Sequence, residues 1–102
     1  MKQNEKAIEN SIRMLLGRLG ILCWKHFPGP IGKKGISDIL GCYKGRLIAI
    51  EVKVKGGKVS PYQEKFIEEV NQAGGLAFVA YCIDDVIEQL GLQDRFLFKH
   101  GG

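Results

Sequence analysis

The tripeptide Glu51-Val52-Lys53 lies near the end of an apolar run, Arg46 to Val54, in a chain of 102 residues. Side chains on a strand alternate between faces, so Leu47, Ala49, Glu51 and Lys53 share one face and Ile48, Ile50, Val52 and Val54 the other. A carboxylate and an ammonium about 7 Å apart along one strand face can be a solvated ion pair or the working groups of a site, and this spacing alone does not choose between them. Asp38 adds a second acid. It begins the preceding β-rich run, Ile36 to Tyr43, which joins the Glu51 run through Lys44-Gly45, a two-residue hairpin connection. Antiparallel pairing of the two runs brings Asp38 towards the Glu51 end. Converging carboxylates repel each other unless a cation lies between them, and hard oxygen ligands with open positions suit Mg²⁺ or Mn²⁺.

A third carboxylate can come from the N-terminal segment. Ile8, Ile12, Leu15, Leu16 and Leu19 recur at helical spacing, so a helix is expected over about Glu5 to Leu19, stopped by Gly20. At 100° per residue Glu5 is displaced from the apolar centre by about 40° and Glu9 by about 80°, which makes Glu5 the better candidate to face inward. Other patterns fall short. Gly29 to Lys34 reads Gly-x-x-Gly-Lys-Lys but lacks the spacer and the Ser or Thr of a nucleotide-binding loop, so no nucleotide cofactor is expected. Cys23 and His26 have ligand-like spacing without a second pair at zinc-site distance. His26 and His100 are the only histidines, and no nucleophile triad can be built from them.

The elements that must position these residues follow from the punctuation of the chain. Ile21 to Phe27 reads as a short strand, and Pro28 to Gly35, with two prolines and three glycines, as a basic loop. Ser60-Pro61-Tyr62-Gln63 supplies an N-cap, a proline at the first helical position and a Gln three residues after the cap. The helix it starts has an apolar face of Phe66, Ile67, Val70 and Ala73, ends at Gly74-Gly75, and leads into a buried-type strand, Leu76 to Tyr81. Asp84 or Asp85 is expected to cap a last helix through Leu90. The order is α-β-β-β-α-β-α in one α/β domain over residues 1–102.

Composition sets the remaining bounds. With 45% hydrophobic and 25% charged residues the chain is of ordinary globular type, and its apolar runs are far shorter than the roughly 18 residues that span a bilayer. The polar N-terminus lacks the apolar region of a secretory signal, so a cytoplasmic location is expected. Cys23, Cys42 and Cys82 are odd in number and lie in apolar stretches, as buried free thiols would. The net charge of +4 is unevenly spread: residues 25–58 carry eight basic and two acidic side chains, and the remainder is net negative. Such a block attracts a polyanion, nucleic acid first.

Gly35-Ile36-Ser37-Asp38, Glu51-Val52-Lys53 and Ser60-Pro61-Tyr62-Gln63, following a helix that carries Glu5, resemble the PD-(D/E)xK nuclease superfamily and within it the stand-alone virus-type replication and repair nuclease (VRR-NUC) domains. The resemblance runs from about Glu5 to Asp85. It implies a restriction-endonuclease-like αβββαβ core with a mixed central sheet flanked by helices. It also implies metal binding by Glu5, Asp38, Glu51 and the main-chain carbonyl of Val52, with Lys53 as the catalytic lysine and Gln63 supporting the site. Ser37 stands where the superfamily name has proline, which is not a ligand.

The expected activity is therefore metal-dependent hydrolysis of DNA phosphodiester bonds, with Lys33, Lys34, Lys55 and Lys58 gripping flanking phosphates. The alternatives are a non-catalytic basic nucleic-acid-binding module and a general or flap-type nuclease. A binding module gains nothing from acids inside a basic face, since they repel phosphate. The chain has little surface for reading bases and no helix-turn-helix or zinc module, so recognition is expected to rest on DNA shape. A homodimer with two metal sites would match the pseudo-symmetry of a four-way (Holliday) junction, as the resemblance to stand-alone VRR-NUC proteins also implies.

Overall fold

A computed structural model describes residues 4–95. The elements are α1 (Glu5–Arg18), β1 (Leu22–Lys25), β2 (Ile39–Tyr43), β3 (Arg46–Val52), α2 (Pro61–Gln72), β4 (Leu76–Ala80) and α3 (Ile83–Leu90). The expected order holds throughout, with shorter strands. The expected strand at Ile21 to Phe27 is reduced to Leu22–Lys25, and β2 begins at Ile39, one residue after Asp38. The last helix starts earlier than expected, with Cys82 and not Asp84 or Asp85 at the N-cap. Asp85 instead accepts a hydrogen bond from the Tyr81 amide at 2.8 Å, and both acids lie in the first turn, where the helix dipole favours negative charge.

The sheet order is β1-β2-β3-β4, the first two pairings antiparallel and β3–β4 parallel. The β2–β3 hairpin turns at Lys44 and Gly45, whose φ values of 52° and 77° are the pair of positive angles that a tight two-residue connection needs. The parallel step requires a crossover, and α2 supplies it. Its start is the capping box read in the sequence: the Ser60 hydroxyl accepts from the Gln63 amide, and Gln63 Oε1 accepts from the Ser60 amide at 2.9 Å. At the other end Asn71 exchanges two hydrogen bonds with the backbone of Ala77, fixing α2 to β4.

The strand period sorts the core into two layers. Ile39, Ile48, Ile50, Val52, Phe78 and Ala80 face α1 and α3, against Ile8, Ile12, Leu16, Val86 and Leu90. On the opposite face Ala49 and Ala77 pack under Phe66 and Val70 of α2. Since α2 packs on β3 and β4, the half of that face formed by β1 and β2 stays open, with Leu22, Trp24 and Cys42 exposed. The three thiols are free, but only Cys23 is even half-buried; Cys82 is exposed at the start of α3. Among the described residues no helix is long and apolar enough to cross a membrane.

Candidate active site

Glu51 occupies the last turn of the pleat before β3 ends, on the α2 side of the sheet, with its residue 2% exposed. Antiparallel register pairs Ile39 with Ile50, so Asp38 arrives alongside Glu51 just before β2 begins. Asp38 is held there from two directions. Its Oδ2 accepts from the Val52 amide at 2.8 Å, and its carbonyl accepts from the His26 amide at 2.8 Å. Lys53 continues the β3 ladder through its amide to the Ala80 carbonyl at 3.1 Å, and its ammonium lies 3.7 Å from Glu51 Oε2. The same oxygen accepts from Gln63 Nε2 at 3.2 Å. Gln63 thereby caps α2 with its carbonyl and holds Glu51 with its amino group.

Glu51 Oε1 is buried and has no hydrogen-bond partner among the described residues. Burial is the main reason that the Glu51 carboxyl is pushed up to about 8; the neighbouring Asp38 adds to it, Lys53 opposes it and Glu5 adds a little. A hard divalent cation would satisfy the free oxygen and relieve the repulsion between the two carboxylates, so the donor chemistry fits Mg²⁺ or Mn²⁺. Asp38, Glu51, Val52, Lys53 and Gln63 are thus brought together as expected. Among the described residues, however, no three His, Cys, Asp or Glu side chains converge as a metal cluster.

The helix acids differ from expectation. Glu5, the first residue of α1, is exposed, although its charge reaches Glu51. Glu9 is the acid that turns inward, and it is engaged by Lys25 at 2.7 Å and by Arg13 at 3.7 Å. Angular position on the helix could not reveal this, because a cation on β1 draws Glu9 towards the sheet. Lys33, Lys34, Lys55 and Lys58 are all exposed. Lys33 pairs with Glu69 of α2 at 3.1 Å, and the Lys34 ammonium lies 5.2 Å from the centre of the Tyr62 ring.

Gly35 has a structural role beyond that of a loop breaker. Its φ is +78°, and a Cβ there would collide with the Tyr62 carbonyl and the Gln63 amide nitrogen. Only glycine lets the loop press backbone to backbone on the first turn of α2. Ser37 is fully buried, and its hydroxyl has no partner among the described residues.

A four-stranded mixed sheet between α1 and α3 on one face and α2 on the other, with Asp38, Glu51 and Lys53 gathered where β2 begins and β3 ends, is a restriction-endonuclease-like nuclease fold. The model of the VRR-NUC domain family matches residues 3–83, from the first helix to the start of the last, and the chain belongs to that family. A solved structure, a VRR_NUC domain protein, superposes with a TM-score of 0.70 at 23% identity, covering 86% of this chain and 85% of the other. At that identity the likeness shows the fold. A comparison with curated proteins finds no match. Family membership makes the chain a nuclease-type domain.

Proposed function

We propose that the protein is a divalent-metal-dependent DNA endonuclease that acts in the cytoplasm as a homodimer and prefers branched DNA, four-way junctions above all. The observation that carries this reading is the buried Glu51, with one oxygen free, set between Asp38 and Lys53. Asp38, Glu51 and the Val52 carbonyl would hold Mg²⁺ or Mn²⁺, with Glu5 completing the set from α1. The chemistry such a cation would supply there is polarisation of the scissile phosphate and a bound water of lowered pKa. Lys53 orients the attacking water and donates to the oxygens on which charge develops. Gln63 fixes the Glu51 carboxylate so that its second oxygen stays available. Lys34, Lys55 and Lys58 draw the flanking phosphates in, and Lys33 joins them when it exchanges Glu69 for phosphate. A non-catalytic DNA-binding module would carry two acids in a basic face at an electrostatic cost and for no return.

The test compares nicking of a four-way junction with nicking of linear duplex, in Mg²⁺ or Mn²⁺ and in EDTA, alongside the mass in solution by light scattering. Paired, nearly symmetric nicks by a dimer are expected. A monomer that cuts both DNAs at one rate would leave only a general nuclease, and no metal-dependent cleavage at all would overturn the proposal.

A further inference from the structure

Beside the acid pair the chain forms a partly open cavity of about 530 Å³, within the range of roughly 300–1,000 Å³ typical of small-ligand sites. Asp38 and Gln63 form its end nearest Glu51, and His26, Phe27, Pro28 and Pro30 contribute its walls. The two prolines fix their own φ angles, so the wall is stiff and loses little freedom when filled. Phe27 is 74% exposed and Ile31 93%, so neither contributes to the core. Apolar side chains held in water beside a polar site are a surface waiting for contact. Lys33 and Lys34 edge the same cavity, the Lys33 ammonium being paired with Glu69 until a phosphate displaces it. Aromatic and apolar walls with ammonium groups at the rim complement a nucleotide, whose base has two apolar faces and whose phosphate is anionic.

We propose that this cavity receives one unpaired nucleobase of the DNA, from the nucleotide next to the scissile phosphate, with Phe27 as its stacking partner and Lys34 on an adjoining phosphate. The inference rests on the nuclease reading and adds to it the part of the substrate that is recognised. A base within a duplex has both faces covered by its neighbours and its edge engaged in pairing, so it cannot enter a concave pocket. A base at a branch point, bulge or end leaves its stack at low cost. Because Asp38 belongs both to the cavity and to the acid pair, an occupied pocket sets the adjoining phosphodiester against Glu51. Preference for branched DNA then has a local cause, independent of the number of subunits.

The experiment uses the full chain in EDTA with a duplex carrying 5-iododeoxyuridine in a one-nucleotide bulge and with its fully paired counterpart. Illumination is expected to cross-link the bulged base to Phe27 or His26, mapped by mass spectrometry, and to give no such adduct on paired DNA. Phe27→Ala is expected to weaken binding of the bulged DNA about tenfold and that of the paired DNA less than about twofold. Since Phe27 is exposed, the variant should melt at the wild-type temperature. Equal loss on both DNAs, no loss on either, or cross-links mapped elsewhere would overturn the pocket. Cleavage with Mn²⁺ in parallel separates the two readings. Cross-linking without nicking keeps the pocket and removes the nuclease reading, whereas nicking without the cross-link keeps the nuclease and removes the pocket.

Discussion

Replacing Glu51 by Gln should stabilise the metal-free protein at alkaline pH and leave it unchanged at acid pH. The folded protein holds the Glu51 proton to about pH 8, against an ordinary value of 4.5. Folding therefore tightens proton binding, and the associated stability is fully present below about pH 4.5 and lost as pH rises through 8. At about 1.4 kcal/mol per pH unit the displacement, which already contains the attraction to Lys53, sets a ceiling near 5 kcal/mol; relaxation of the site around the charged carboxylate and water reaching it reduce the expected gain to about 1–3 kcal/mol. Gln matches the protonated acid in shape and still offers a carbonyl to the Gln63 amino group. For a domain of about this size the gain is an increase in Tm of roughly 5–20 °C at pH 8.5, against almost none at pH 4.5. Thermal melts of both proteins in EDTA across that range provide the assay. Adding Mn²⁺ should raise the wild-type Tm at pH 8.5 and leave that of E51Q unmoved. A difference between the two proteins that is the same at both pH values would refute the reasoning, because it would mean that burial of the charge is not what Glu51 costs the fold.

Asp38→Ala and Lys53→Ala should each reduce cleavage below detection in a nicking assay while the proteins still shift DNA in gels; near wild-type turnover in either would remove that residue from the site. Glu5→Ala should lose activity without a change in Tm, whereas Glu9→Ala should lose about 1–3 kcal/mol in urea denaturation, since it strands Lys25 and Arg13 beside a buried surface. Joint replacement of Lys33 and Lys34 by Ala should flatten the slope of log K against log[salt] by up to about two phosphates, measured by fluorescence anisotropy. Ser37→Ala should be neutral or stabilising by up to about 1 kcal/mol in chemical denaturation, because the buried hydroxyl it removes has no partner.

The parts of the site that were legible in the sequence depend on short range and fixed period. Alternation on β3 put Glu51 and Lys53 together, Lys44-Gly45 set the hairpin that delivers Asp38, and Ser60 to Gln63 announced the start of α2. What depends on a partner far along the chain was not legible. Lys25, sixteen residues away, decides that Glu9 turns inward. The exposure of Cys42 follows from which half of the sheet α2 covers, and nothing in the local sequence states that. Asp84 and Asp85 have the composition of caps, yet the helix begins at Ile83 because Asp85 folds back on Tyr81. The cavity arises only when the loop from Pro28 closes on α2, a meeting that depends on Gly35.

The two ends of the Gln63 side chain bind different parts of the protein, the Ser60 amide and the Glu51 carboxylate. Helix fraying and active-site order are therefore one equilibrium. When the first turn of α2 opens, Glu51 loses its amide donor, and when a cation fixes Glu51, opening of that turn becomes rarer. Amide hydrogen exchange at Ser60 should consequently slow when Mn²⁺ is added, reporting occupancy of the acid pair from a backbone group that touches neither carboxylate. A glutamate at position 63 could keep the cap but would bring a third negative charge to Glu51, uncoupling the two events that the amide joins.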